Sequence, residues 1–145
     1  MNHLRRTLLA ALAFAIARPL AELAAWNKEA FSAKTPGDAL KSLGIAGAAP
    51  SKELHIDAPE IAENGAVVPI EVSSAIAGTS ALIVVIEKNP FPLTARFDFK
   101  EGALPFVKLN VKMAETSDVR VLAEAAGKHY FATKEIKVTI GGCGG

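Results

Sequence analysis

The sequence predicts an all-β domain, an immunoglobulin-like antiparallel β-sandwich of about seven strands that follows a short helical segment. Two observations carry this prediction. The spacing of apolar residues changes from a helical period to alternation at Leu54. From there, short alternating segments follow one another up to Ile140 with turn residues between most of them, and such a series is typical of a sandwich.

Residues 1–25 are predicted to be an export signal. Arg5 and Arg6 precede an apolar run that stops before Arg18. This run is shorter than the roughly 20 apolar residues that a membrane span requires. A basic start, a short apolar run and small residues further on are typical of a secretory signal. The alternative is an N-terminal helix that belongs to the domain.

The adjacent arginines resemble a twin-arginine signal, with Leu8 two residues after them and Leu4 where Ser or Thr is usual. Cleavage after Ala17 or Ala25 would leave a mature protein with no membrane segment, and we expect a bacterial periplasmic location. The remaining 13 basic and 14 acidic residues give the mature chain a net charge of −1. This balance offers no basic surface for nucleic acid or an anionic membrane.

Residues 26–48 are predicted to be a helical segment. Trp26, Ala30 and Phe31 are apolar residues at helical spacing. Thr35 is a capping residue with the acidic Asp38 three positions later, Pro36 lies in the first turn, and Gly44 terminates the helix. The following GAAPSKE is predicted to be a linker.

Eight segments of residues 49–140 are predicted to be strands of the sandwich. They are ELHID, VVPIEVS, ALIVVIE, LTARFDFK, VKLNVKM, DVRVLAEA, HYFATK and EIKVTI. Because ALIVVIE is apolar on both faces, we expect it to be central in its sheet or covered by a partner. In the loop 88–92, Phe91 either forms a contact surface or tucks over the end of the sandwich.

The C-terminal residues 141–145 are predicted to form a flexible arm. Gly141, Gly142, Gly144 and Gly145 leave the backbone free and add no bulk. A five-residue segment spans about 16 to 18 Å when it is fully extended. Such an arm can carry the sulfur atom of Cys143 into a narrow channel of another protein.

Cys143 is the single cysteine of the chain. Exported proteins normally pair their cysteines, so a lone thiol needs an external chemical purpose or an intermolecular partner. The nearby C-terminal carboxylate opposes a negative thiolate, and we expect a protonated thiol that a partner's active site activates. A fortuitous free end and a simple intermolecular disulfide are the alternatives, whereas neither a lipobox nor a prenylation box fits this position.

Other chemistry finds little support in the sequence. His3, His55 and His129 show no ligand spacing with each other or with Cys143, so we expect no metal site and no cofactor. No serine or carboxylate has the recognisable local context of a nucleophile with its base. We therefore expect that the chain is not an enzyme.

Several segments together resemble the SoxY family, the sulfur-substrate carriers of the bacterial thiosulfate-oxidising Sox system. They are the paired-arginine start, FSAKTPGDALKSLG, ENGAVVPIEV, EKNPFPL, KMAETSDVRVLA and the terminal KEIKVTIGGCGG, which is the most specific. The resemblance implies a sulfur group attached covalently to Cys143, with the four flanking glycines as the carrier arm.

The resemblance also implies partners. Members of the family look like immunoglobulin-type sandwiches that pair with SoxZ, a smaller all-β subunit without the cysteine. A haem-containing enzyme couples thiosulfate to the thiol, a dimanganese hydrolase releases sulfate, and a sulfane dehydrogenase oxidises the remaining sulfur. The metals and haems belong to those partners, which leaves this chain as a non-enzymatic shuttle.

Two other functions stay open at this point. A periplasmic binding or adhesion module would use Cys143 only to link two copies through a disulfide. A carrier of the ubiquitin-like type would instead load sulfur on the carboxyl group of Gly145 as a thiocarboxylate. That chemistry needs an adenylating partner, which an ATP-poor periplasm would not supply.

Overall fold

The computed structural model describes residues 26–141, which form two short helices and nine strands. The predicted export signal and most of the predicted arm, including Cys143, lie outside these residues. The elements are α1 Lys28–Ser32, α2 Pro36–Ser42, β1 Ala49–Pro50, β2 Leu54–Asp57, β3 Ile61–Ala62, β4 Val68–Ser74, β5 Thr79–Ile86, β6 Leu93–Asp98, β7 Phe106–Val111, β8 Ser117–Ala125 and β9 Lys128–Val138. Neither described helix is long and apolar enough to cross a membrane.

The strands form two sheets that pack face to face. The larger sheet has the order β1-β9-β8-β5-β6, and the smaller one has the order β2-β4-β7. The seven strands of four or more residues pair with one another only in antiparallel fashion, which confirms the predicted all-β sandwich of about seven strands. The two-residue strands β1 and β3 were not predicted, and both pair in parallel with β9.

Strand β5 lies between two hydrophobic cores. Leu82 and Val84 point into the core between the sheets, while Ile83 and Val85 point to the opposite face, where α1 and α2 cover them. All four side chains are fully buried, and β5 pairs with β8 on one side and β6 on the other. The prediction that ALIVVIE is central in its sheet is therefore confirmed, and its second apolar face is covered by the protein's own two helices.

The prediction of two separate strands, HYFATK and EIKVTI, is wrong, because the single strand β9 contains the first segment and runs on through the first four residues of the second. The apparent break comes from Lys134, which occupies a position on the core-facing side between Ala132 and Ile136. Its ammonium group reaches the edge of the core and donates to the carbonyl oxygen of Ala58 at 2.5 Å. A long amphipathic stem with a solvated or paired end is compatible with such an edge position.

The helical segment begins two residues later than its apolar spacing suggests. Asn27 caps α1, since its Oδ1 accepts from the backbone N–H of Ala30 at 2.9 Å. Trp26 precedes the helix and is 65% exposed, with its ring 5.3 Å from that of Phe31. Residues 33–35 separate α1 from α2.

The predicted cap of α2 is present. Thr35 Oγ1 accepts from the backbone N–H of Asp38 at 3.1 Å and donates to the Asp38 carboxylate at 2.7 Å.

We expect Thr35→Ala to lower the free energy of unfolding by about 1 kcal/mol, because it removes the only capping oxygen at this position. Urea denaturation measures this change, and Thr35→Ser, which keeps the hydroxyl, serves as the control. Equal midpoints for Thr35→Ala and the unmodified protein would contradict the cap.

Candidate functional site

The last described residues, 138–141, leave the sandwich between two loops at one end of the molecule. One comprises residues 62–66, which run from the last residue of β3 towards β4, and the other comprises residues 112–116, between β7 and β8. We call these the first and second exit loops. Both lie in segments that carried the family resemblance, ENGAVVPIEV and KMAETSDVRVLA.

The first exit loop holds the chain through its backbone. The N–H of Thr139 donates to the carbonyl of Ala62 at 3.1 Å, and its hydroxyl donates to the carbonyl of Glu63 at 2.9 Å. The N–H of Gly65 then donates to the carbonyl of Ile140 at 2.7 Å. The chain is therefore fixed by hydrogen bonds as far as Ile140, two residues beyond the end of β9.

The second exit loop closes on the chain from the other side. Thr116 Oγ1 accepts from the N–H of Val138 at 2.9 Å. Gly141 lies against the backbone of Ala114 so closely that a Cβ atom at position 141 would come within 2.2 Å of the Ala114 carbonyl oxygen. No real Cβ atom tolerates that separation, so this position requires glycine for space.

One side chain organises the second exit loop. Asn89, in the loop between β5 and β6, donates through Nδ2 to the carbonyl of Lys112 at 2.7 Å. Its Oδ1 accepts from the N–H of Ala114 at 2.9 Å. Between these two residues, the N–H of the fully buried Met113 donates to the carbonyl of Gly65 at 2.7 Å. The two exit loops are thus bonded to each other as well as to the chain that passes between them.

Of the predicted site residues, the structure describes only Gly141, which lies against Ala114 of the second exit loop. Cys143, Gly142, Gly144 and Gly145 lie outside the described residues. Sequence reasoning missed the steric role of Gly141, because a run of glycines indicates freedom and not a close approach. It also missed Asn89, since Asn before Pro is an ordinary turn pair.

Phe91 in the loop 88–92 is not buried over the end of the sandwich, and the contact surface stays a prediction. Phe91 is 49% exposed, and its ring is covered in part by Lys34, whose ammonium nitrogen lies 3.5 Å from the ring centroid. The adjacent Lys88 and Glu115 form an ion pair at 3.9 Å between two well-exposed side chains. Such a pair contributes little to stability. The loop is anchored to the exit end by the Asn89 side chain and by the backbone N–H of Lys88, which donates to Ser117 Oγ at 3.0 Å.

The ionisable groups with shifted pKa values lie in strands and not in the exit loops. A hydrogen bond to Asp98 raises the pKa of Arg96, against the opposing effect of burial. A hydrogen bond to Glu71 raises the pKa of Lys108 on β7. Both cations stay charged at neutral pH. Lys108 pairs with Glu71 on the neighbouring strand β4, whereas Arg96 pairs with Asp98 on its own strand.

A groove within the described residues lies away from the exit loops. Between α2 and the larger sheet lies a groove of about 480 Å³, lined in part by Leu40, Arg120 and Phe131, and no exit-loop residue contributes to it. Arg120 is paired there with Glu87 at 2.7 Å. Within residues 26–141, no group of three or more His, Cys, Asp or Glu side chains is arranged to hold a metal ion.

Comparison with known proteins identifies the family. A sequence model of the family described as sulfur oxidation protein SoxY matches residues 41–143. Among solved structures, the sulfur carrier protein SoxY from Chlorobium limicola f thiosulfatophilum is 38% identical, with a TM-score of 0.65, and the match covers 72% of this chain and 96% of that one.

The other comparisons add little. An engineered protein matches at 17% identity with a TM-score of 0.41, over 72% of this chain and 28% of that one, which is too weak to indicate a shared fold. A search of curated proteins gives no match. The family match includes the Cys143 position and spans more than half of the chain. The match to the solved SoxY structure covers nearly the whole length of that SoxY chain. These matches confirm the resemblance that the sequence segments indicated. The chain belongs to the SoxY family of sulfur oxidation proteins.

Proposed function

We propose that the protein is a periplasmic sulfur carrier, which holds thiosulfate-derived sulfur covalently on Cys143 and presents it to partner enzymes of the Sox system. The observation that carries the proposal is the position of Cys143. It follows the held residue Gly141 by two positions, in a segment of otherwise only glycine. Membership of the SoxY family and the likeness to a solved sulfur carrier support the same role.

The short distance along the chain limits where the sulfur can go. Two residues beyond Gly141, the Cα atom of Cys143 lies at most about 7 Å from that of Gly141. An enzyme that acts on the sulfur must therefore bring the mouth of its active site close to the exit loops. The glycines on both sides of Cys143 would allow a narrow mouth to admit the segment.

The chemistry of loading follows from the thiol. The Cys143 sulfur forms a bond to the outer sulfur of thiosulfate, the thiol proton leaves, and two electrons pass to the haem-containing coupling enzyme. Hydrolysis of the terminal sulfone by the dimanganese enzyme then consumes water and releases sulfate, which leaves one sulfane sulfur on the cysteine. A sulfane dehydrogenase oxidises that sulfur, and the carrier itself performs no catalytic step.

Export and pairing complete the proposal. The twin-arginine-type signal in residues 1–25 would deliver the folded chain to the periplasm, where thiosulfate is oxidised. A SoxZ-like all-β subunit is the proposed partner of the sandwich. Because a twin-arginine signal allows export of folded complexes, one signal would serve both subunits.

Intact mass spectrometry of the protein from its native periplasm, purified without reductant, tests the proposal. We expect adducts separated by about 32 Da per sulfur atom, or containing sulfonate groups, that map to Cys143 and disappear when a thiol reductant is added. A uniform disulfide-linked dimer would contradict the proposal and favour a cross-linked binding module. A single mass with a free thiol after growth on thiosulfate would also count against carriage.

A further inference from the structure

The side chain of Asn89 uses both ends of its amide to hold one short stretch of backbone. Nδ2 donates to the carbonyl of Lys112 at 2.7 Å, and Oδ1 accepts from the N–H of Ala114 at 2.9 Å. The side chain therefore spans Met113 and fixes the backbone on both of its sides. A primary amide offers both a donor and an acceptor, a combination that neither Ala nor an ionised Asp supplies.

The residue that Asn89 fixes is the one that Gly141 touches. A Cβ atom on residue 141 would lie only 2.2 Å from the Ala114 carbonyl oxygen. On the opposite side, Gly65 bonds to both Met113 and Ile140, each at 2.7 Å. Any movement of Ala114 therefore changes the space through which the chain leaves the sandwich.

The direction of exit matters because so few residues separate Gly141 from the sulfur. At a reach of about 7 Å, a modest rotation at Gly141 moves the Cα atom of Cys143 by several ångström. Reactions between an enzyme and a positioned group are sensitive to such changes, since a misplacement of about 1 Å can lower a rate by about 10²-fold.

We propose that Asn89 is a positioning residue, which sets the direction in which the chain leaves the sandwich at Gly141 and thereby determines where a partner enzyme meets the Cys143 sulfur. This inference rests on the proposed carriage of sulfur at Cys143. Asn89 acts through Ala114 and takes no part in bond making or breaking. Replacing Asn89 should therefore change the direction in which the chain leaves the sandwich, and should leave the intrinsic reactivity of the Cys143 thiol unchanged.

The lone cysteine allows a direct test of the geometry. A nitroxide on Cys143 and a second one on Lys52→Cys, an exposed position near the opposite end of β4, report the distance between the exit and the body of the full-length protein. We expect Asn89→Ala to shift or broaden the distance distribution from pulsed electron paramagnetic resonance by several ångström. Lys88→Ala is the matched control, and it should leave the distribution unchanged because it removes only the long, exposed ion pair with Glu115.

A second variant reaches the same contact from the other side. Gly141→Ala introduces the atom that the Ala114 carbonyl excludes, and its place near the chain end spares the sandwich core. We expect it to displace the distribution as well. If both Asn89→Ala and Gly141→Ala give the distribution of the parent protein, the positioning role is wrong. Because this measurement requires no sulfur loading, it stands apart from the mass test of carriage.

The functional measurement separates positioning from general destabilisation. With a thiosulfate-coupling enzyme, we expect Asn89→Ala to load sulfur at least about tenfold more slowly, while alkylation of Cys143 by iodoacetamide proceeds at the parent rate. Two glycines inserted after Gly142 should restore much of the loading, since a longer arm depends less on its starting direction. Parent-like loading of Asn89→Ala, or no recovery with the longer arm, would overturn the inference.

Discussion

Replacing Cys143 with serine should abolish thiosulfate-dependent electron transfer in a reconstituted Sox system. A serine hydroxyl is a far weaker nucleophile than a thiolate and forms no bond to sulfur that a reductant reverses. Within residues 26–141, the buried members of both hydrophobic cores lie between Ala30 and Ile136. We therefore expect the urea unfolding transition of Cys143→Ser to match that of the unmodified protein.

A displaced thiol provides the matched control for this experiment. Adding Lys52→Cys to Cys143→Ser restores one exposed thiol on the body of the sandwich, away from the exit loops. We expect no recovery of activity, since a thiol on that surface has no arm to carry it into an enzyme. Activity of Cys143→Ser alone would rule out the cysteine as the carrier group, and activity of the double variant would rule out the arm.

Shortening Ile83 to alanine should destabilise the protein by about 2 to 5 kcal/mol, the usual range for a large-to-small change in a close-packed core. Ile83 is fully buried on the face of β5 that α1 and α2 cover. Truncation would leave a cavity between Ala30, Ala39 and the sheet, which two short helices fill only in part. Urea denaturation of the reduced protein measures the change.

Ile61→Ala is the matched control for the core variant. Ile61 is 58% exposed on the short strand β3, so the same chemical change should alter the free energy of unfolding by no more than about 0.5 kcal/mol. Similar midpoints for Ile83→Ala and Ile61→Ala would show that the helices do not pack on the sheet as the structure has them.

The elements that the sequence predicts well are those defined by local pattern. The cap at Thr35 depends on residues three positions apart, and the doubly apolar run of β5 indicates burial on both faces wherever the strand lies. The alternation of Val107, Leu109 and Val111 likewise predicts the core-facing side of β7, and these residues do contact the core between the sheets.

The features that escaped prediction depend on distant parts of the chain. Strands β1 and β3 are only two residues long and exist through their pairing with β9. Lys134 interrupts the apolar alternation because Ala58, 76 residues away, accepts its hydrogen bond. The narrow space at Gly141 depends on Ala114, and only the folded exit loops bring these two residues together.

The parallel pairing of β1 and β3 with β9 has a consequence for association between copies of the protein. An 11-residue strand at the border of a sheet would otherwise offer a long row of free backbone groups, which invites strand addition and aggregation. Ser51 bonds to Phe131 at 3.0 Å near one end of this border, and Lys137 bonds to Glu60 at 2.9 Å near the other. The two short strands therefore divide the border into pieces too short to template another chain.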